Sequence, residues 1–89
     1  DDKEVILEAV KINGQELYYA SEQLRDDKEV VLTAVNNKGL IFKYASKRLR
    51  ADEEVARAAI SNYKDAIEYI SDEDLKQKIL EEQSQGENE

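Results

Sequence analysis

The sequence predicts an all-α protein: short antiparallel helical hairpins, stacked as a small solenoid-like bundle and closed by a C-terminal capping helix. Three observations lead there. A pattern recurs with a period of 25 residues: Asp2-Lys3-Glu4-Val5 returns as Asp27-Lys28-Glu29-Val30 and, more loosely, as Asp52-Glu53-Glu54-Val55. There is no Pro and there are only three Gly, while helix formers such as Ala, Leu, Glu, Lys, Arg and Gln abound. Within each copy the apolar residues fall three and four apart, the spacing of a helix face. A repeat this short cannot bury its own apolar side and must stack on its neighbours.

The spacing divides the chain into one domain over 1–83, with repeats at about 1–25, 26–50 and 51–71 and a capping helix at about 72–83. In the first copy Val5, Ile6, Leu7, Ala9 and Val10 face inward from helix one, Gly14 makes the turn, and Leu17, Ala20 and Leu24 face inward from helix two. In the middle copy Asp26 is the predicted N-cap, with Glu29 reaching back as in a capping box. Its first helix is predicted over 27–37, with Val30, Val31, Ala34 and Val35 as the apolar stripe. Gly39 is placed past the C-cap in the left-handed conformation. The second helix is predicted from Leu40 to Ser46 or Arg48, burying Ile41, Phe42, Ala45 and Leu49, with Tyr44 partly buried and Lys43, Lys47, Arg48 and Arg50 in water.

The third copy departs from the plan as a terminal unit should. Arg57 stands where Leu7 and Leu32 stood, Lys64 replaces Gly14 and Gly39, and Ile70 replaces Ala20 and Ala45. An outward polar face suits Arg57, because no further unit covers the end of a stack. The loss of the Gly implies a differently built turn, centred on Asn62. Ser71 or Asp72 caps the last helix, whose stripe is Leu75, Ile79 and Leu80. Residues 84–89 hold no apolar side chain and read as a disordered tail.

The phrases Asp-Lys-Glu-Val-Val-Leu-x-Ala-Val (27–35), Asn-x-x-Gly (36–39) and Tyr-Ala-Ser-x-x-Leu-Arg (44–50) resemble a family of tandem helical repeats known as domain of unknown function 4116. The resemblance runs from residue 1 to about 75 and is closest over 1–50. It implies helical repeats and carries over no catalytic or ligand residues.

Composition narrows the function classes. With no His and no Cys, the chain lacks the usual acid–base group, thiolate and zinc ligands. Ser21, Ser46 and Ser71 share one phase of the repeat but have no base beside them, so they read as backbone caps. The acid pairs at 1–2 and 26–27 and the run Asp72-Glu73-Asp74 lack the spacing of a calcium loop and read as helix-capping acids. No enzyme activity, metal or cofactor is expected. The apolar runs are too short to span a membrane, and a soluble, cytoplasmic location is the default expectation.

The net charge is −8, but it is uneven. Residues 26–50 carry six bases against three acids, and both neighbouring copies are acidic. The basic middle copy is complementary to its flanks, and the acidic flanks argue against nucleic acid. Tyr19, Tyr44 and Tyr69 share one phase and are predicted to form a ladder with rings inside. Tyr18 falls in the phase of Lys43 and Glu68, so it is predicted to be partly exposed. The expected function is protein–protein recognition by rigid display, through Tyr18, Lys43, Lys47 and Arg48 on successive second helices. The alternatives are a spacer with no partner of its own and nucleic-acid binding through the basic middle copy. The chain is expected to be a monomer, or to self-associate weakly through its first repeat.

Overall fold

Aspartates set the frame of the molecule. The structure is a computed structural model describing residues 2–87. Three ten-residue helices, α1 (Lys3–Ile12), α3 (Lys28–Asn37) and α4 (Glu53–Asn62), begin 25 positions apart. The carboxylates of Asp2, Asp27 and Asp52 accept the orphan N–H groups of Glu4, Val30 and Val55 at 3.0, 3.2 and 3.1 Å. The middle cap is therefore Asp27, one residue after the predicted Asp26. Glu29 does not reach back to close a box; it pairs with Lys3 at 3.0 Å.

After each of these helices one extended residue turns the chain. Asn13, Lys38 and Tyr63 have φ of −145, −147 and −145° and ψ of 102, 99 and 105°. No described residue has positive φ, so the left-handed Gly39 is corrected. Glycine is required here by close approach. A Cβ on Gly14 would stand 2.6 Å from the Ala34 carbonyl oxygen, and one on Gly39 would stand 2.5 Å from that of Ala59. At Lys64 the side chain is exposed, and the same turn forms without Gly. The differently built third turn is thus corrected as well.

Each turn leads into a six-residue 3-10 helix: Gly14–Tyr19, Gly39–Tyr44 and Lys64–Tyr69. These replace the longer second helices that the spacing predicts. The reason lies in the next bond. Extended Ala45 breaks the helix and turns the Ser46 N–H onto the Arg25 carbonyl of the preceding unit at 3.0 Å; Ser71 does the same to Arg50. A continuous helix would have consumed that N–H internally. The Ser21 hydroxyl then caps the four-residue helix α2 (Glu22–Arg25), and Ser46 caps the short 3-10 turn Leu49–Ala51.

The core lies along the axis of a stack with dimensions 45 × 22 × 15 Å. Val30, Val31, Ala34, Ile41, Phe42 and Leu49 are fully buried at its centre, as predicted. The first unit differs from the prediction. Val10 and Leu17 are buried, but Val5 is 65 % exposed, whereas its counterparts Val30 and Val55 are at 0 %. Arg50, placed in water by the periodicity, is half-buried: its Nε donates to the Ala45 carbonyl and its Nη1 to that of Tyr69.

The last helix, α5 (Glu73–Glu87), is capped by Asp72, which accepts from Asp74 and Leu75. It buries Leu75 and Ile79. It is fastened to α4 by Lys78 on Glu53 at 3.3 Å and by Arg57 on Glu82 at 2.9 Å. Arg57 is exposed, as a terminal unit requires, yet it is also a clamp for the seal. Residues 84–87, read from the sequence as part of a disordered tail, continue α5. Residues 88 and 89 lie outside the described residues.

Candidate functional site

Two of the four predicted recognition residues come together. Tyr18, near the end of the first 3-10 helix, sets its ring 4.7 Å from that of Tyr44, at 78°, and 5.0 Å from that of Tyr19, at 87°. Both are edge-to-face contacts, the arrangement favoured by the ring quadrupole. Lys43 places its Nζ 5.1 Å from the centre of the Tyr44 ring, a cation–π contact. One patch thus spans two units, with Tyr18 about half exposed and Lys43 in water. The predicted ladder of Tyr19, Tyr44 and Tyr69 does not form among the described residues: Tyr19 is 75 % exposed, and Tyr18 occupies the place beside Tyr44.

The other two residues separate. Lys47 is exposed and has no ion-pair partner among the described residues. Arg48 is exposed but committed to a contact within the chain. Its Nε donates to Asp26 Oδ1 at 2.9 Å, and its Nη2 donates to the Asp26 carbonyl at 2.6 Å. The Ser46 hydroxyl, on the same Oδ1, and the Arg48 guanidinium hold the Asp26 carboxyl below the usual carboxylate range.

Beside the aromatic patch lies an open groove of about 540 Å³ lined by Glu22, Gln23, Arg25, Asp26, Tyr44 and Ser46. The Arg25 Nε is buried there without a hydrogen-bond partner. The equivalent atom of Arg50 has one in the Ala45 carbonyl. The two equivalent arginines thus differ: Arg50 pairs its Nε, and Arg25 keeps its Nε covered and unpaired beside the groove that Tyr44 lines.

The joints between units are built from a recurring polar set. Lys3 bridges Asp27 and Glu29 at 3.1 and 3.0 Å, and Lys28 bridges Asp52 and Glu54 at 3.1 and 3.0 Å. The hydrogen bonds to Glu29 and Asp27 raise the Lys3 ammonium above its ordinary value, and those to Glu54 and Asp52 do the same for Lys28. Burial pushes Asp27 and Asp52 up, but the lysines and the capped N–H groups outweigh it, so both carboxyls titrate low. A second contact was not anticipated from the sequence. Asn62 Oδ1 accepts the Gly39 N–H at 2.5 Å while its Nδ2 donates to the Asn36 carbonyl at 3.1 Å. Asn37 does the same for Gly14 and Lys11. The signal was present, since Asn37 and Asn62 stand one period apart.

The phased serines are all engaged. Ser21 and Ser46 accept N–H groups at helix starts, Ser46 also donates to Asp26, and Ser71 donates to the Lys47 carbonyl. No described helix is long and apolar enough to cross a membrane.

Two overlapping segments, residues 2–50 and 27–76, match a family described as Domain of unknown function (DUF4116). No curated protein and no solved structure matches the chain.

Proposed function

The chain belongs to the DUF4116 family, and from its own surface we propose that it is a non-catalytic helical module for protein–protein recognition. The observation that carries this reading is the Tyr18–Tyr44–Lys43 patch, which spans two units beside an open groove. Tyr and Arg are the residue types enriched at the centres of interfaces. The stacked units hold these groups at fixed spacing, so little side-chain freedom is lost on binding. The exposed lysines at 43 and 47 suit a partner segment that carries carboxylates beside an apolar anchor.

Capture from an extract of the source cells tests it. Tyr18→Ala combined with Lys47→Glu abolishes retention of the partner while the helical circular dichroism and melting midpoint stay unchanged. Equal capture by the double variant would refute the surface.

A spacer with no partner of its own is the second reading. It is favoured by the commitment of Arg48 to Asp26 and of Lys3 and Lys28 to the joints, which removes three cations from any outward role. It predicts no retained protein with either chain.

A further inference from the structure

The sequence holds one Asn-Gly pair, Asn13-Gly14, and it falls at the turn after α1. The backbone nitrogen that follows an Asn can attack the side-chain carboxamide and close a five-membered ring. Gly, with no Cβ, leaves that nitrogen uncrowded. The other four asparagines precede Asn37, Lys38, Tyr63 and Glu89, whose side chains hinder the attack. The equivalent turns, at Lys38-Gly39 and Tyr63-Lys64, repeat the backbone of the first but carry no carboxamide.

The folded joint holds the pair away from reaction. Asn13 is exposed, but its ψ of 102° sets the Gly14 nitrogen nearly opposite Cβ across the Cα–C bond. Asn13 Oδ1 is turned to the Gln15 N–H, accepting at 3.1 Å. The Gly14 N–H donates to Asn37 Oδ1 of the next unit at 2.7 Å. Ring closure requires the Asn13–Gly14 peptide to rotate, and that rotation breaks the bond to Asn37.

We propose that Asn13-Gly14 is a self-modification site, a deamidation site guarded by the joint between the first two units. When the joint opens locally, the Gly14 nitrogen bonds to Asn13 Cγ. The Cγ–Nδ2 bond breaks, and Nδ2 leaves as ammonia with the proton that Gly14 gives up. Water then opens the cyclic imide. Opening at Cγ yields aspartate; opening at the backbone carbonyl yields isoaspartate, with the chain rerouted through the side chain. One water is consumed, one ammonia is released, and no oxidant or reductant is needed.

The two products differ in consequence. Aspartate can still cap Gln15. Isoaspartate adds a methylene to the chain between two fixed points. The Asn13 N–H is held by the Ala9 carbonyl at 2.9 Å, and Gly14 packs so closely that a Cβ there would stand 2.6 Å from the Ala34 oxygen and 3.0 Å from Lys38 Cβ. The longer link does not fit, so the joint does not re-form and its opening is recorded in the chain.

The test holds the chain at mildly alkaline pH, in buffer and in urea, in water enriched in heavy oxygen, and follows each Asn by peptide mass. In urea Asn13 should convert about tenfold or more faster than any other Asn, and in buffer about tenfold or more slower than in urea. Asn37→Ala should speed the reaction in buffer by about tenfold, the effect of one lost acceptor on an opening equilibrium, and leave the rate in urea unchanged. Asn37→Asp, which keeps an oxygen for the Gly14 N–H, should stay slow. Asn62→Ala removes the matching bond at the second joint and should also leave Asn13 slow. The separated isoaspartyl chain should lose slow exchange of the Gly14 N–H, whereas Asn13→Asp should keep it. The proposal is overturned if Asn13 is no faster than Asn36 or Asn62 in urea, or if buffer and urea give equal rates. Equal acceleration by Asn37→Ala and either Asn37→Asp or Asn62→Ala overturns it too, because global unfolding would then be the gate. Retained exchange protection in the isoaspartyl chain overturns the recorded opening.

Discussion

Asn37 Oδ1 accepts the Gly14 N–H at 2.7 Å, so a side chain at the end of α3 closes the turn that follows α1. The same relation joins Asn62 to Gly39 at 2.5 Å. Each Asn takes the N–H of the first 3-10 residue, which has no partner inside its own helix, and returns an N–H to a helix C-terminal carbonyl. Two units are thus bonded at a point where both would otherwise leave backbone groups unpaired.

Asn62→Ala should therefore be costly. It leaves the Gly39 N–H, in a buried turn, without its acceptor, and a loss of about 1–3 kcal/mol follows from stranding such a donor. Urea titration followed at 222 nm measures it. Ile12→Asn is the control: the side chain lies in water, and the midpoint should move by about 0.5 kcal/mol or less.

Gly39→Ala should destabilise although its φ is ordinary. The new Cβ meets the Ala59 oxygen at 2.5 Å, Tyr63 Cβ at 2.7 Å and Tyr63 N at 2.9 Å, and backbone has to yield. Overpacking of this kind costs about 1–3 kcal/mol. Lys64→Ala, in the same turn of an exposed unit, should cost less than about 0.5 kcal/mol. A neutral Gly39→Ala would show that the close approach does not require the Gly.

Much of this was legible in the sequence because burial is periodic. Val30, Val31, Ala34 and Val35 fall on one helix face, and each is buried. The positions that misled are those whose role depends on the neighbouring unit. Asp26 looks like a cap, but its carboxylate is drawn to Ser46 and Arg48, 20 and 22 residues away. Val5 has the sequence of a core residue, yet it is exposed where Val30 and Val55 are fully buried. Gly39 sits where a helix ends, so a local rule explained it, and the helix that crosses it was invisible. At the candidate site, the exposure of Tyr18 followed from its phase. Its pairing with Tyr44 did not, because it depends on how far one 3-10 helix is displaced from the next.

Arg48 and Lys47 are adjacent and both exposed, yet they should respond in opposite ways. Arg48→Ala breaks the bonds to Asp26 and should lower the melting midpoint. Lys47→Ala should leave the midpoint within about 0.5 kcal/mol of the parent and weaken capture of a carboxylate-bearing partner. Thermal melts and capture on the two variants check both halves. A stable Arg48 variant with lost capture would move Arg48 from the joint to the recognition surface.

The ion pairs at the joints predict a stability plateau bounded on both sides. Asp26, Asp27 and Asp52 lie below their ordinary 3.8, and Glu53 and Glu82 lie below 4.5. Groups depressed on folding stabilise above their unfolded values, and that contribution is lost as pH falls through the lower folded values. Lys3 and Lys28 lie above 10.5, so their contribution is complete below 10.5 and is lost as pH rises beyond it. There is no His to add a transition near neutrality. The melting midpoint should be flat from about pH 5 to about pH 9, falling below pH 4 and again above pH 10.5. Salt should lower the plateau only slightly, because these pairs are solvent-exposed and weak one by one. Lys28→Met should flatten the alkaline limb and shift part of the acid limb upward, since Asp52 keeps the Val55 N–H but loses the ammonium that also holds it low. An acid limb unchanged in that variant would show that the Val55 N–H alone sets the Asp52 titration.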